Sequence, residues 1–271
     1  MGLFSMSNST QSVCRDLFVA VLRVVRSVLP RVVVGGVAAL ACITGLSGCQ
    51  AVNGDTASSI AQLRIIDATP DANGLDIYSG NAAIAYNLGF GTITSYVPVT
   101  PSTYTFSIDT AGTRAALTTV RATLGSAKQY TLLLSNTAAP IQPQLLTDQS
   151  QPAPSGQIAL RFLDVALSPG AIDLYLVPSG STLAKVNPLR TALLPGSNTG
   201  YLNVPTGTYT LYIVTNGSVI STTTVPLYTG ASTTYPAGSA RTILVLDQLI
   251  VTAPAVQVVT SSDYDSPTAT Q

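Results

Sequence analysis

Leu63-Arg64-Ile65-Ile66-Asp67 and Leu75-Asp76-Ile77-Tyr78 are answered, 97 residues further on, by Leu160-Arg161-Phe162-Leu163-Asp164 and Ile172-Asp173-Leu174-Tyr175. Working outward, Tyr96-Val97-Pro98-Val99-Thr100-Pro101-Ser102-Thr103-Tyr104-Thr105 matches Tyr201-Leu202-Asn203-Val204-Pro205-Thr206-Gly207-Thr208-Tyr209-Thr210, and Leu132-Leu133-Leu134 matches Leu244-Val245-Leu246. The offset grows because the second copy carries an insertion around residues 177–188. Blocks kept in order one domain length apart mean two copies of one domain. Each copy is rich in short Val, Ile, Thr and Tyr runs of period two; Thr103-Tyr104-Thr105-Phe106-Ser107-Ile108 puts Tyr104, Phe106 and Ile108 on one face of a strand. Glu is absent, and Thr, Pro and Gly interrupt every helical window.

The expected fold is all-β: two tandem immunoglobulin-like or transthyretin-like β-sandwich domains, with about seven strands per copy, after a lipoprotein signal peptide. The chain has no Trp and no Cys pair in its mature part, which excludes an antibody-type domain. The expected divisions are a signal peptide over 1–48, a lipidated tether over 49–60, a first sandwich over 61–149, a Pro-rich semi-rigid linker over 150–156, a second sandwich over 157–260 and a disordered tail over 261–271.

The signal-peptide expectation rests on an apolar run over residues 32–43 that follows Arg15, Arg23, Arg26 and Arg31. That run is shorter than the roughly 20 residues that span a bilayer core. Extended to Gly48 it also reads as a membrane anchor, and Leu46-Ser47-Gly48-Cys49 separates the two readings. It resembles a bacterial lipobox, with small residues that admit a peptidase and a thiol that takes a diacylglycerol thioether. Processing would leave Cys49 as the N-terminal residue, carrying diacylglycerol and an N-acyl chain, and no other cofactor is expected. Gln50 replaces the Asp of an inner-membrane retention signal, which favours the outer membrane as the location within the envelope. Cys49 is the one thiol after processing, so the mature fold must hold without a disulfide.

Composition excludes several chemistries. After Cys49 there are eight Lys or Arg and eleven Asp, with no basic run to bind nucleic acid. Without His there is no Ser-His-Asp triad, and zinc would have only Asp to draw on. A glycosidase would need two Asp. Asp67, Asp71, Asn73 and Asp76 form an oxygen-rich cluster that could take calcium, but Pro70-Asp71-Ala72-Asn73-Gly74 also reads as a plain turn, and the second copy keeps only Asp164 and Asp173 of the set. No metal is therefore expected. Arg64 and Arg161 recur in apolar strands together with Asp76 and Asp173, which suggests structural Arg–Asp pairs between neighbouring strands. Tyr104 and Tyr209 read as corner tyrosines bonded to backbone.

Residues 63–80 resemble the opening of the family known as domain of unknown function 4397, with an Arg in a first strand, a Thr-Pro-Asp-Ala turn (Thr69 to Ala72) and Asp-apolar-Tyr (Asp76 to Tyr78) in a second. The Tyr96 to Tyr104 block resembles its later hairpin, and the resemblance extends to both copies. Asp67 departs from the His or Asn common in the family, Ser102 from the Gly that the second copy keeps at Gly207, and Ala166-Leu167-Ser168-Pro169-Gly170 lacks the Pro-Asp-Ala turn. The resemblance implies secreted or envelope-anchored β-sandwich modules and no activity. The functional expectation is a non-catalytic envelope lipoprotein, held to the membrane by its lipid, that binds protein or glycan through loops such as 81–90 and 178–195. The alternative is a spacer without a ligand, with an enzyme ranked last.

Overall fold

A computed structural model of the chain describes residues 60–137, 139–249 and 254–264, all within the compact unit Asp55–Gln271. The first copy contains β1 (Ala61–Asp67), β2 (Leu75–Ser79), β3 (Ala82–Leu88), β4 (Val97–Val99), β5 (Ser102–Thr110), β6 (Ala116–Leu124), β7 (Gln129–Ser135) and β8 (Gln142–Asp148). The second contains β9 (Gln157–Asp164), β10 (Ile172–Pro178), β11 (Arg190–Leu193), β12 (Ser197–Pro205), β13 (Gly207–Thr215), β14 (Tyr228–Thr229), β15 (Thr233–Tyr235), β16 (Ala240–Asp247) and β17 (Val256–Tyr264). A short 3-10 turn, Leu183–Lys185, lies in the insertion.

The two copies share one topology. The first pairs its strands as β4-β1-β7-β8 and β3-β2-β5-β6; the second as β12-β9-β16-β17 and β11-β10-β13-β14, with β15 also on β13. β1 and β7 run parallel, as do β9 and β16, and the other pairs are antiparallel. Each copy is an all-β sandwich with eight strands' worth of ladder, one more than expected, and its sixth strand is broken in two in the second copy. Leu63, Ile65, Ile77, Phe106, Ile108, Leu132 and Leu134 fill the first core, and Leu160, Phe162, Leu174, Ile213, Ile243 and Val245 the second. The expected corner tyrosines are present: the Tyr104 hydroxyl donates to the Thr100 carbonyl at 2.6 Å, and that of Tyr209 to the Pro205 carbonyl at 2.8 Å.

Linear spacing of the sandwiches along a linker is not what forms. The two lie back to back. Ile66, Ala68, Leu133, Leu146, Leu163, Val165, Leu244 and Leu246 make a third core between the β1 and β9 sheets. This explains why Ile66, Leu133, Leu163 and Leu244 are apolar although they point away from their own sandwich cores, since these strands are buried on both sides. Residues 150–156 are pinned in place: Ala153 is buried and its amide donates to the Gly238 carbonyl at 2.9 Å.

Arg64 and Arg161 sit in this interface, 1% and 3% exposed. Their closest carboxylates are not Asp76 and Asp173 but those of the opposite copy, and Arg64 Nη2 also lies 3.6 Å from Asp148 Oδ2 of its own copy. Arg64 Nη2 is bonded to Asp263 Oδ1 on β17, and Arg161 Nη2 to Asp148 Oδ1 on β8 at 2.5 Å. Each Nε donates to a Thr of its own copy, Arg64 to Thr131 at 2.8 Å and Arg161 to Thr242 at 3.1 Å. Those threonines donate in turn to Asp148 (2.5 Å) and Asp263 (2.6 Å). Tyr96 and Tyr201 complete the pattern, donating to Asp148 at 2.7 Å and Asp263 at 2.8 Å while their rings lie 4.8 and 4.7 Å from the Arg64 and Arg161 guanidinium carbons. Burial alone would lower the Arg64 pKa, but Asp263, Asp148 and Tyr96 together raise it.

The pairing with Asp76 and Asp173 fails because β1 and β2 belong to different sheets. Ile77 faces the core of the sandwich, so Asp76 faces away from it, and the whole core separates it from Arg64. A disordered tail from 261 is corrected as well: β17 runs to Tyr264, and Asp263 is 5% exposed. Residues 265–271 lie outside the described residues.

Two further acids repeat. Asp67 and Asp164, at the ends of β1 and β9, are both fully buried. Asp67 Oδ1 accepts from the Thr69 amide at 2.9 Å and Asp164 Oδ1 from the Ala166 amide at 3.2 Å, and the Oδ2 of each has no partner among the described residues. Burial, opposed by the Thr69 bonds, pushes Asp67 up to about 6. Burial, opposed by the Ala166 bond and reinforced by Asp247, pushes Asp164 up to about 7.

Two predictions follow from these interactions. Arg64→Met or Asp263→Leu alone should cost about 3–5 kcal/mol, because each strands a buried charge, while the double variant should lose much less than the sum; urea unfolding checks this, and additive losses would contradict the pairing. Asp67 and Asp164 bind protons more tightly folded than unfolded, so their contribution to stability is full below pH ~4 and lost as pH rises through 6 and 7. The Asp67→Asn/Asp164→Asn variant should therefore gain melting temperature over wild type at pH 8 and lose that advantage at pH 4, as read by thermal melts across the range.

Candidate functional site

The lipobox residues Leu46, Ser47, Gly48 and Cys49 lie outside the described residues. Of the calcium candidates, Asp67 is buried at the end of β1, Asp71 and Asn73 are exposed in the turn before β2, and Asp76 is buried on β2. Asp76 spends its oxygens on protein donors: Oδ1 accepts from the Asn87 amide at 2.8 Å, and Oδ2 from the Gly112 amide at 2.9 Å and the Tyr78 hydroxyl at 3.3 Å. The Asn87 bond, working against burial and helped by Gly112, Tyr78 and Arg114, holds its pKa below the ordinary value. A carboxylate so engaged is a brace between a strand and a turn. Among the described residues, no three Cys, Asp, His or Glu side chains gather as a metal site.

What Asp76 braces is an open cleft of about 740 Å³ on the outer face of the β2 sheet. The β2–β3 ladder shifts register on either side of Ile77, with Leu75 opposite Leu88, Ile77 opposite Ala85 and Tyr78 opposite Ala83. Such bulges turn side chains out of the pleat, and here they present Tyr86 and Asn87. Asn87 adopts φ +48°, and its Oδ1 lies only 2.6 Å from where a Cβ on Gly74 would stand, so a side chain at position 74 would collide with it. From the β5–β6 turn, Arg114 lays its guanidinium 3.5 Å from the Tyr78 ring centre. Tyr78 meets Tyr86 edge to face, with centroids 5.8 Å apart, and Tyr86 is 65% exposed. Burial first, then Asp76, raises the Tyr78 pKa.

The second copy repeats the brace with different side chains around it. Asp173 accepts from the Ala192 amide (2.8 Å), Asn216 Nδ2 (2.7 Å) and the Gly217 amide (3.4 Å). At matching offsets, Asn73, Tyr86, Asn87 and Arg114 give way to Gly170, Thr191, Ala192 and Val219. Tyr175, the counterpart of Tyr78 and as buried as it, packs with Leu183, Val186 and Ile220. The insertion, expected to be a contact loop, thus packs partly onto its own sheet. Segment 81–90 does contribute, through Tyr86 and Asn87. Neither Tyr86 nor Arg114 stands out in the sequence by itself; the signal is that both vanish in a copy that keeps the neighbouring Asp and Tyr.

No curated protein sequence matches the chain. Among solved structures, the Bacillus anthracis TIE protein is similar at 13% identity over 69% of this chain and 34% of its own, with a TM-score of 0.22; this chain thus spans about a third of its length. A family 41 carbohydrate-binding module from streptococcal virulence factors is similar at 14% identity over 59% of this chain and 82% of its own, TM-score 0.23. CBMbc, a family CBM26 module from Eubacterium rectale Amy13K, is similar at 12% identity over 77% of this chain and 98% of its own, TM-score 0.23. A family model described as domain of unknown function (DUF4397) matches residues 61–175, from β1 to Tyr175 within β10, so this stretch is similar to that family.

Proposed function

We propose that the protein is a non-catalytic, lipid-anchored module of the bacterial cell envelope that binds glycans through the cleft of its first copy. The observation that carries this reading is the exposed Tyr86 ring set against Tyr78, with Asn73, Asn87 and Arg114 around it. A pyranose offers an apolar C–H face and a rim of hydroxyls. An exposed aromatic ring suits the first, and side-chain amides and a guanidinium fork suit the second. A protein partner would more readily be anchored by a deep apolar pocket at the centre of its interface, whereas this cleft is open and mixes Tyr rings with Asn and Arg side chains. Asp76 is already saturated with protein donors, which leaves it poorly placed as a catalytic acid or base. The spacer alternative fares worse, because back-to-back packing forfeits the reach that end-to-end sandwiches would supply.

The lipid anchor rests on Leu46-Ser47-Gly48-Cys49, with diacylglycerol and N-acyl chains on Cys49 and outer-membrane placement from Gln50. The location is testable by metabolic labelling: wild type should take up an alkyne fatty acid and partition with membranes, and Cys49→Ser should do neither. Labelling that survives Cys49→Ser would overturn it. On a glycan array, the acyl-free chain should bind a discrete set of sugars, and Tyr86→Ala should weaken that binding by at least about tenfold, ~1.4 kcal/mol, with an unchanged melt. Equal binding by both proteins would remove the cleft from the reading.

A further inference from the structure

We infer, resting on the glycan reading of the same cleft, that it selects uncharged sugars, turns away uronates and sulfated glycans, and does so once per chain. The charges around it decide the point. Arg114 is the cation among the lining residues and Asp76 the anion, and the two interact closely enough for Arg114 to help hold the Asp76 carboxyl ionised. Directly across the ladder from Asp76 stands Asp109, 2% exposed, held by the Ser107 hydroxyl. The nearest other cation on this sheet in register, Arg121, stands opposite Thr105, four residues along β5 from Asp109, or about 13 Å at the usual rise, beyond a physiological Debye length. Two carboxylates, Asp76 and its cross-ladder neighbour Asp109, thus stand beside one guanidinium. An acidic sugar would meet the Arg114 fork only by approaching that surplus of like charge, and such juxtapositions are what specific sites use to reject a partner.

Arg114 remains useful to a neutral ligand. Laid flat on Tyr78, it presents its N–H groups at fixed positions, suited to a pair of neighbouring hydroxyls. The single stoichiometry follows from the second copy, where Thr191, Ala192 and Val219 replace Tyr86, Asn87 and Arg114, and Leu183, Val186 and Ile220 cover Tyr175.

The test uses the mature chain bearing Cys49→Ser and immobilised dextran, galactan, xylan and mixed-linkage β-glucan, each in native and carboxymethylated form. Whichever backbone is retained, the native form should bind at least about tenfold tighter than its carboxymethylated counterpart, with one site per chain, and added salt should narrow the gap. Equal or tighter binding of the carboxymethylated form would overturn the charge rule and leave glycan binding standing. Two sites per chain would overturn the stoichiometry. Silence on every polysaccharide, or capture of a protein through the Tyr86 face instead, would overturn both the inference and the function it rests on.

Discussion

Two buried guanidinium ions organise this molecule. Removing an arginine from water costs several kcal/mol unless a carboxylate and further hydrogen bonds meet it, and neither copy meets its own arginine fully. Arg64 finds its close carboxylate in Asp263 of the second copy, and Arg161 finds Asp148 of the first. The swap holds the β1 and β9 sheets face to face, and around it the apolar contacts of Ile66, Leu133, Leu163 and Leu244 close a third core. Apolar packing supplies area; the crossed pairs supply register, because a shift of one sheet against the other would part both arginines from their closest carboxylates. The outer sheets are thereby kept apart and face solvent, and on one of them lies the cleft.

Much of this was legible in the sequence and some was not, for reasons that can be stated residue by residue. The repeat, the strands and the two corner tyrosines are local: Tyr104 and Tyr209 each bond a carbonyl four residues back. The recurrence of Arg64 and Arg161 correctly marked a structural role, but their partners are fixed by packing between copies. Asp263 lies 199 residues from Arg64, which no spacing rule reaches. The same residue shows why the tail was misread: Ser261-Ser262-Asp263 is polar enough to suggest disorder, yet its polarity is what Arg64 requires. Asp76 and Asp173 were singled out for the right recurrence and the wrong bond, because strands adjacent in sequence were assumed to be adjacent in a sheet.

Comparison of the copies separates maintenance from use. Both keep the Asp brace, the Tyr beside it and the left-handed residue whose amide the Asp accepts, Asn87 at φ +48° and Ala192 at φ +51°. These features hold a bulge and a turn together whatever lies above them. Over this shared frame the first copy sets polar and aromatic side chains around open space, while the second lowers an insertion onto its tyrosine. Duplication left one copy free to present a surface and the other to seal it, without altering the scaffold of either.

The crossed pairing also bears on the order in which the chain can become whole. β1 is the first described strand and β17 the last, and they meet at Arg64. A ribosome releases the first copy complete in its ladders, yet with Arg64 still lacking its closest counter-ion until β17 emerges. Contacts so distant along the chain are slow to form, since a long loop must close before they repay its entropy. The first and last described strands thus act as a clasp, and a chain without Asp263 keeps its ladders and its third core while Arg64 loses its closest counter-ion.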